Sequence, residues 1–116
     1  MQTHAGPGDL LQGTLGIVIL KCLLLGEAHG YAVARWIEET TGDVLQIEEG
    51  SLYPALRRLE DRGWLSSEWG TSENNRRARF YTITAAGRAH LRNEARVWLR
   101  YSRAVTQVLK ADPALA

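Results

Sequence analysis

Residues 49–63, reading Glu-Gly-Ser-Leu-Tyr-Pro-Ala-Leu-Arg-Arg-Leu-Glu-Asp-Arg-Gly, constrain the fold more than any other stretch. A start, a stop and two chemically different faces can all be assigned to them. Ser51 offers a hydroxyl to cap a helix beginning near 50–51, which places Pro54 in the first turn, where a missing N–H deletes no intrahelical bond. Gly63 supplies the left-handed residue that commonly ends a helix, and Arg62 complements the negative end of its dipole. At roughly 100° per residue, Leu52, Leu56, Leu59 and Gly63 fall on one side, with Gly50, Pro54, Arg57, Arg58 and Asp61 opposite and Tyr53 on the flank. A helix of about three turns with a leucine base and outward arginines suits the DNA major groove, where arginine pairs bidentately with guanine or reaches phosphate. The same residues also fit an ordinary solvated face with an Arg57–Asp61 pair.

The charge distribution favours the first alternative. Formal net charge is only +1 over 116 residues, yet residues 1–49 carry two basic groups (Lys21, Arg35) against seven acidic ones, a net of −5. Residues 50–103 carry eleven arginines against five acidic residues, a net of +6. Segregated charge that is almost wholly arginine points to phosphate and base-edge recognition.

A chain of this length forms one domain, or one small domain plus an extension, with a modest core that gains from dimerisation. The single cysteine, Cys22, excludes an intrachain disulfide or cysteine-based metal site and fits a reducing cytoplasm. His4, His29 and His90 are not at metal-ligand spacing, so neither a metal nor another cofactor is expected. The apolar run from Leu15 to Leu25 contains Lys21 and is shorter than the roughly 20 residues a membrane span needs. No Gly-rich phosphate loop or nucleophile motif suggests an enzyme.

In chain order, residues 1–8 read as a mobile arm. Leu10, Leu11, Leu15, Ile17, Val18, Leu20, Leu23 and Leu24 describe a first helix capped by Asp9, apolar on more than one face, as if buried between this domain and a second subunit. His29, as a turn or cap residue, opens a second helix to about Thr41, with Tyr31, Ala34, Trp36 and Ile37 inward and Gly42 as its stop. Residues 44–47 form a strand candidate. Residues 64–69 and 79–83 have the aromatic and β-branched character of a hairpin, joined by a polar loop that brings Arg76, Arg77 and Arg79 together at its tip. Thr84 caps a last helix to about Lys110. Along it Leu91, Ala95, Trp98, Ser102, Val105 and Leu109 recur at spacings of four and three as a dimerisation seam. Residues 9–83 then form a winged helix-turn-helix domain, 84–110 the dimerisation helix and 111–116 a tail. The class is mainly α with a small β-hairpin wing (α+β).

This order of elements, with Leu11-Gln12-Gly13-Thr14-Leu15, His29-Gly30-Tyr31-Ala32-Val33, residues 49–60 and residues 79–88, resembles the PadR family of winged-helix transcriptional regulators over about 9–110. Residues 48–50 and 69–77 are most similar to a subgroup of acidobacteria and related soil bacteria. The resemblance implies a cytoplasmic homodimeric repressor that binds palindromic double-stranded DNA. Ser51, Tyr53, Pro54, Arg57 and Arg58 match its recognition helix, and Arg76, Arg77 and Arg79 its wing. It further implies that a small hydrophobic effector could stack beside Trp98. The chain departs from longer members in having one C-terminal helix, and Glu48 and Glu49 bring negative charge to the DNA path. A winged helix used only as a protein–protein interaction module is the alternative, since fold alone does not specify a partner.

Overall fold

The computed structural model describes residues 7–111 and residue 113, with side chains from residue 14 onward. The elements are α1 (Pro7–Leu24), β1 (Ala28–His29), α2 (Gly30–Thr40), α3 (Glu49–Asp61), β2 (Leu65–Thr71), β3 (Arg77–Ile83) and α4 (Ala85–Lys110). The strands form one antiparallel sheet in the order β1-β3-β2. The expected mainly α architecture with a hairpin wing is therefore present.

The core explains the unusual hydrophobicity of α1. Leu15, Ile19, Leu20, Cys22 and Leu23 are all buried in the cluster that also holds Val33 and Ile37 of α2, Leu52, Ala55, Leu56 and Leu59 of α3, and Leu65, Tyr81 and Ile83 of the sheet. α1 packs against α2, α3, α4 and β3. Among the described side chains of α1, those facing α2, α3, α4 and β3 are thus covered by its own chain, the intrachain half of the expected burial. The helix begins at Pro7, so Asp9 lies inside it and is not its cap; the rest of the expected arm, residues 1–6, lies outside the described residues. Burial pushes the Cys22 thiol up to about 11, which keeps it protonated and a poor nucleophile at neutral pH.

Two expectations for the middle of the chain require correction. Residues 44–47 are not a strand. Leu45 N donates to Thr41 Oγ1 (3.1 Å) and Ile47 N to the Glu38 carboxylate (3.0 Å), so side chains of α2 and its C-cap residue take the backbone donors that a strand would give to a neighbour. The third strand is instead β1, whose Ala28 and His29 oppose Tyr81 and Phe80. Nor does Tyr31 face inward: it is 67 % exposed, and Gly30, Val33 and Ile37 form the buried side of α2. His29 does cap that helix, its Nδ1 accepting from Ala32 N at 3.2 Å. Gly42, at φ +58°, follows it as expected.

α4 begins as read from the sequence: Thr84 Oγ1 accepts from Gly87 N (3.0 Å) and donates to Gly63 O (2.7 Å). The seam, however, divides. Leu91 is 5 % exposed in the core and Ala95 packs against it, whereas Trp98, Val105 and Leu109 are 42 %, 39 % and 61 % exposed. Leu91 therefore has an intrachain partner, and only the distal half of α4 projects. The radius of gyration, 16.3 Å, exceeds the roughly 13 Å of a compact chain of this length because of that projection.

Candidate nucleic-acid interface

The helix α3 is anchored as its leucines require and begins slightly earlier than its serine suggests. Ser51 N and Leu52 N both donate to Glu48 O (3.0 and 2.9 Å), making Glu48 the cap residue, without a side-chain cap bond. Ser51 accordingly sits within the first turn. Pro54 lies further inside and cannot donate to the Gly50 carbonyl, a cost confined to the exposed side of the helix. At the other end Gly63 adopts φ +81°, while Trp64 N bonds Leu59 O (3.0 Å) and Gly63 N bonds Glu60 O (2.9 Å). This paired pattern turns the chain sharply into the wing.

With Leu52, Ala55, Leu56 and Leu59 buried, Tyr53, Pro54, Arg57 and Arg58 are held outward. The i,i+4 pair of Arg57 with Asp61 is not formed; the ion pairs among the described residues are Arg35–Glu39 and Arg79–Glu60. Both α3 arginines thus present their full charge to solvent.

In the wing, Leu65, Ser67, Trp69 and Thr71 of β2 stand opposite Ile83, Tyr81, Arg79 and Arg77 of β3. Directly opposed residues share a face. That face runs from the core (Leu65, Ile83, Tyr81) out to the arginines. The strands extend further than the hydrophobic pattern suggests, so Arg77 joins Arg79 in β3. Only Arg76 lies in the turn, which is closed by Ser72 N to Arg76 O (2.7 Å) and by Asn75 at φ +59°.

Between this face, α3 and the start of α2 lies an open cleft of about 800 Å³, lined by Tyr31, Tyr53, Trp69, Arg76, Arg77, Arg79 and Tyr81 among others. The Tyr53 ring lies directly over Gly30: a Cβ there would approach its Cε1 to 2.8 Å, so a larger residue would push the ring aside. Burial raises the Tyr81 phenol above its ordinary value, against the opposing pull of Arg79, leaving it neutral at physiological pH. Of the sequence-predicted residues, Tyr53, Arg76, Arg77 and Arg79 line the cleft together. Ser51, Pro54, Arg57 and Arg58 do not; they occupy α3 outside it. Sequence reading missed Trp69, over whose ring Arg77 and Arg79 lie at 4.4 and 5.3 Å. Its signal is visible only with the register, which sets Trp69 directly across from Arg79.

A helical core presenting an exposed, arginine-bearing third helix beside a β-hairpin wing defines a winged-helix domain. Residues 19–93 match the PadR-like family of transcriptional regulators, and the chain belongs to that family, whose members are regulators and not enzymes. It is 25 % identical over 98 residues to the negative transcriptional regulator PadR of Bacillus subtilis, covering 84 % of this chain and 52 % of that protein, about half its length. A transcriptional regulator of Mycobacterium tuberculosis is 36 % identical over 80 residues, covering 68 % of this chain and 70 % of its own. Among solved structures, a regulator from Clostridium thermocellum superposes with a TM-score of 0.80 at 28 % identity, covering 88 % of this chain and 99 % of that one. A PadR family regulator from Eggerthella lenta gives 0.75 at 31 % identity, with 90 % and 88 % covered. No helix among the described residues is long and apolar enough to cross a membrane.

Proposed function

We propose that the protein binds double-stranded DNA as a homodimer in the cytoplasm and represses transcription from a palindromic operator. The observation that carries this reading is that α3, with exposed Arg57 and Arg58 outside any ion pair, packs against the wing that bears Arg76 and Arg77. In it α3 enters the major groove and the wing grips the adjoining backbone, with Ser51, Tyr53 and Pro54 against the DNA. The excess of arginine over this surface favours an anionic partner over an ordinary protein surface. Glu48 and Glu49, exposed at the start of α3, lower affinity while suiting the helix dipole. Repression is supported by the likeness to a relative described as a negative regulator. The dimer is supported by the outward row Trp98, Tyr101, Val105, Val108 and Leu109 on the projecting half of α4.

Fluorescence anisotropy with duplex DNA from upstream of the gene tests this. A dimer neutralising on the order of six to ten phosphates loses roughly 10³- to 10⁵-fold in affinity between about 50 and 200 mM salt. Arg77→Ala weakens all sequences alike and flattens that dependence, whereas Arg57→Ala or Arg58→Ala relaxes preference at one base pair by about 1–3 kcal/mol. Salt-independent binding, or none, leaves the protein-binding module as the better account.

The same reading gives Trp98 a regulatory role. In the dimer Trp98 and its two-fold mate flank an apolar gap that accepts a planar hydrophobic effector, which releases DNA by favouring one separation of the recognition helices. Trp98, tilted on Tyr101 at 6.3 Å, is 42 % exposed, which supports a role in such stacking. Planar aromatic compounds are expected to release operator DNA from the unmodified protein and not from Trp98→Leu. Equal release from both would place the effector elsewhere.

A further inference from the structure

Arg79 differs from the other arginines of the wing in being held by a side-chain hydrogen bond and a carboxylate. Its Nε donates to Ser67 Oγ at 2.8 Å, Ser67 Oγ donates to Glu60 Oε2 at 2.7 Å, and Arg79 Nη2 lies 3.9 Å from that same carboxylate oxygen. The single hydroxyl proton of Ser67 goes to the carboxylate, which leaves an oxygen lone pair free for the guanidinium. One residue each from α3, β2 and β3 therefore closes a polar ring. Its outer edge is Trp69, whose ring carries both Arg79 and Arg77.

We propose that Arg79 is a brace rather than a DNA contact, joining with Ser67 and Glu60 to lock the wing against α3 and, through Trp69, to position Arg77 for the phosphate backbone. This rests on the DNA-binding reading above. The charge of Arg79 is already offset by Glu60, whereas Arg57, Arg58, Arg76 and Arg77 have no such carboxylate. The base of the hairpin is seated by buried Leu65, Tyr81 and Ile83, whereas its outer half, left unbraced, would have to be ordered against α3 when DNA binds. The brace orders it during folding, so the spacing from the α3 arginines to Arg77 is set beforehand. Ser67, Trp69 and Glu60 are accordingly positioning residues, with Arg77 as the group that touches DNA.

The test compares salt dependences on a random-sequence duplex, with thermal melting to confirm that each variant folds. Arg77→Ala is expected to lower the salt slope by about two units per dimer, one for each copy. Arg79→Lys and Ser67→Ala should each weaken binding about 5- to 10-fold with the slope unchanged, and the double variant should be no weaker than either alone. A phosphate contact would tolerate lysine; a brace that needs a forked, stacking guanidinium would not. The proposal is overturned if Arg79→Lys keeps full affinity, if Arg79→Ala flattens the slope as Arg77→Ala does, or if the two losses add. Should the unmodified protein show no salt-dependent binding, the DNA reading fails by itself. The brace is then judged on the free protein, where amide hydrogen exchange across β2 and β3 should accelerate in Ser67→Ala; unchanged rates overturn it.

Discussion

Replacing Gly87 with alanine is expected to destabilise the protein by about 3 kcal/mol, although the substitution improves helix propensity by nearly 1 kcal/mol. A Cβ at this position in the first turn of α4 would lie 2.2 Å from the Trp64 carbonyl oxygen, 3.0 Å from its carbon and 2.9 Å from Ile83 Cγ1. Two of the three obstacles are backbone and cannot rotate away. The close approach is part of the joint between α3, the wing and α4, where Thr84 N donates to the same Trp64 carbonyl at 3.0 Å and Trp64 stacks on His90 at 3.5 Å. Relief of the overlap has to displace α4 from the sheet. Urea unfolding checks the sign: a Gly87→Ala protein as stable as the original would show that α4 does not sit this close.

Charged substitutions along α4 are expected to have opposite consequences on the two sides of its midpoint. Leu91→Glu should abolish cooperative folding, because a carboxylate placed at a 5 % exposed core position has no partner and costs several kcal/mol. Val105→Glu should leave the thermal transition of the monomer intact and raise the dimer dissociation constant at least about 100-fold, equivalent to about 2.7 kcal/mol. Circular dichroism follows the first effect and sedimentation velocity the second. A Val105→Glu protein that remains dimeric at micromolar concentration would move the interface off the projecting half of α4. A folded Leu91→Glu monomer would refute the assignment of Leu91 to the core.

The elements whose signals are local were legible without coordinates. The leucine spacing of 52–59 and the stop at Gly63 specify α3, Thr84 specifies the start of α4, and the β-branched and aromatic run at 79–83 specifies β3. Boundaries moved where a signal had competition. Ser51 is a good cap residue, but the backbone amides of residues 51 and 52 both find Glu48 O, so the helix begins before it. Residues 44–47 look like a strand by composition, yet no neighbouring edge is offered to them, and β1 is too short to carry any periodicity.

For the candidate site, the residue types were legible and their division of labour was not. Sequence alone determined that an apolar-based helix and a hairpin would each display arginines, because amphipathic period and turn chemistry are properties of a few adjacent residues. Only the tertiary structure decided which arginines stay free. Arg79 is engaged because strand register and helix packing bring Ser67 and Glu60 to it from 12 positions away in one case and from another element in the other. It likewise decided that Leu91 belongs to its own core and Val105 to a surface, since a seam repeats evenly along a helix while the domain it packs on ends partway. Burial depends on where other elements stop, and no local pattern records that.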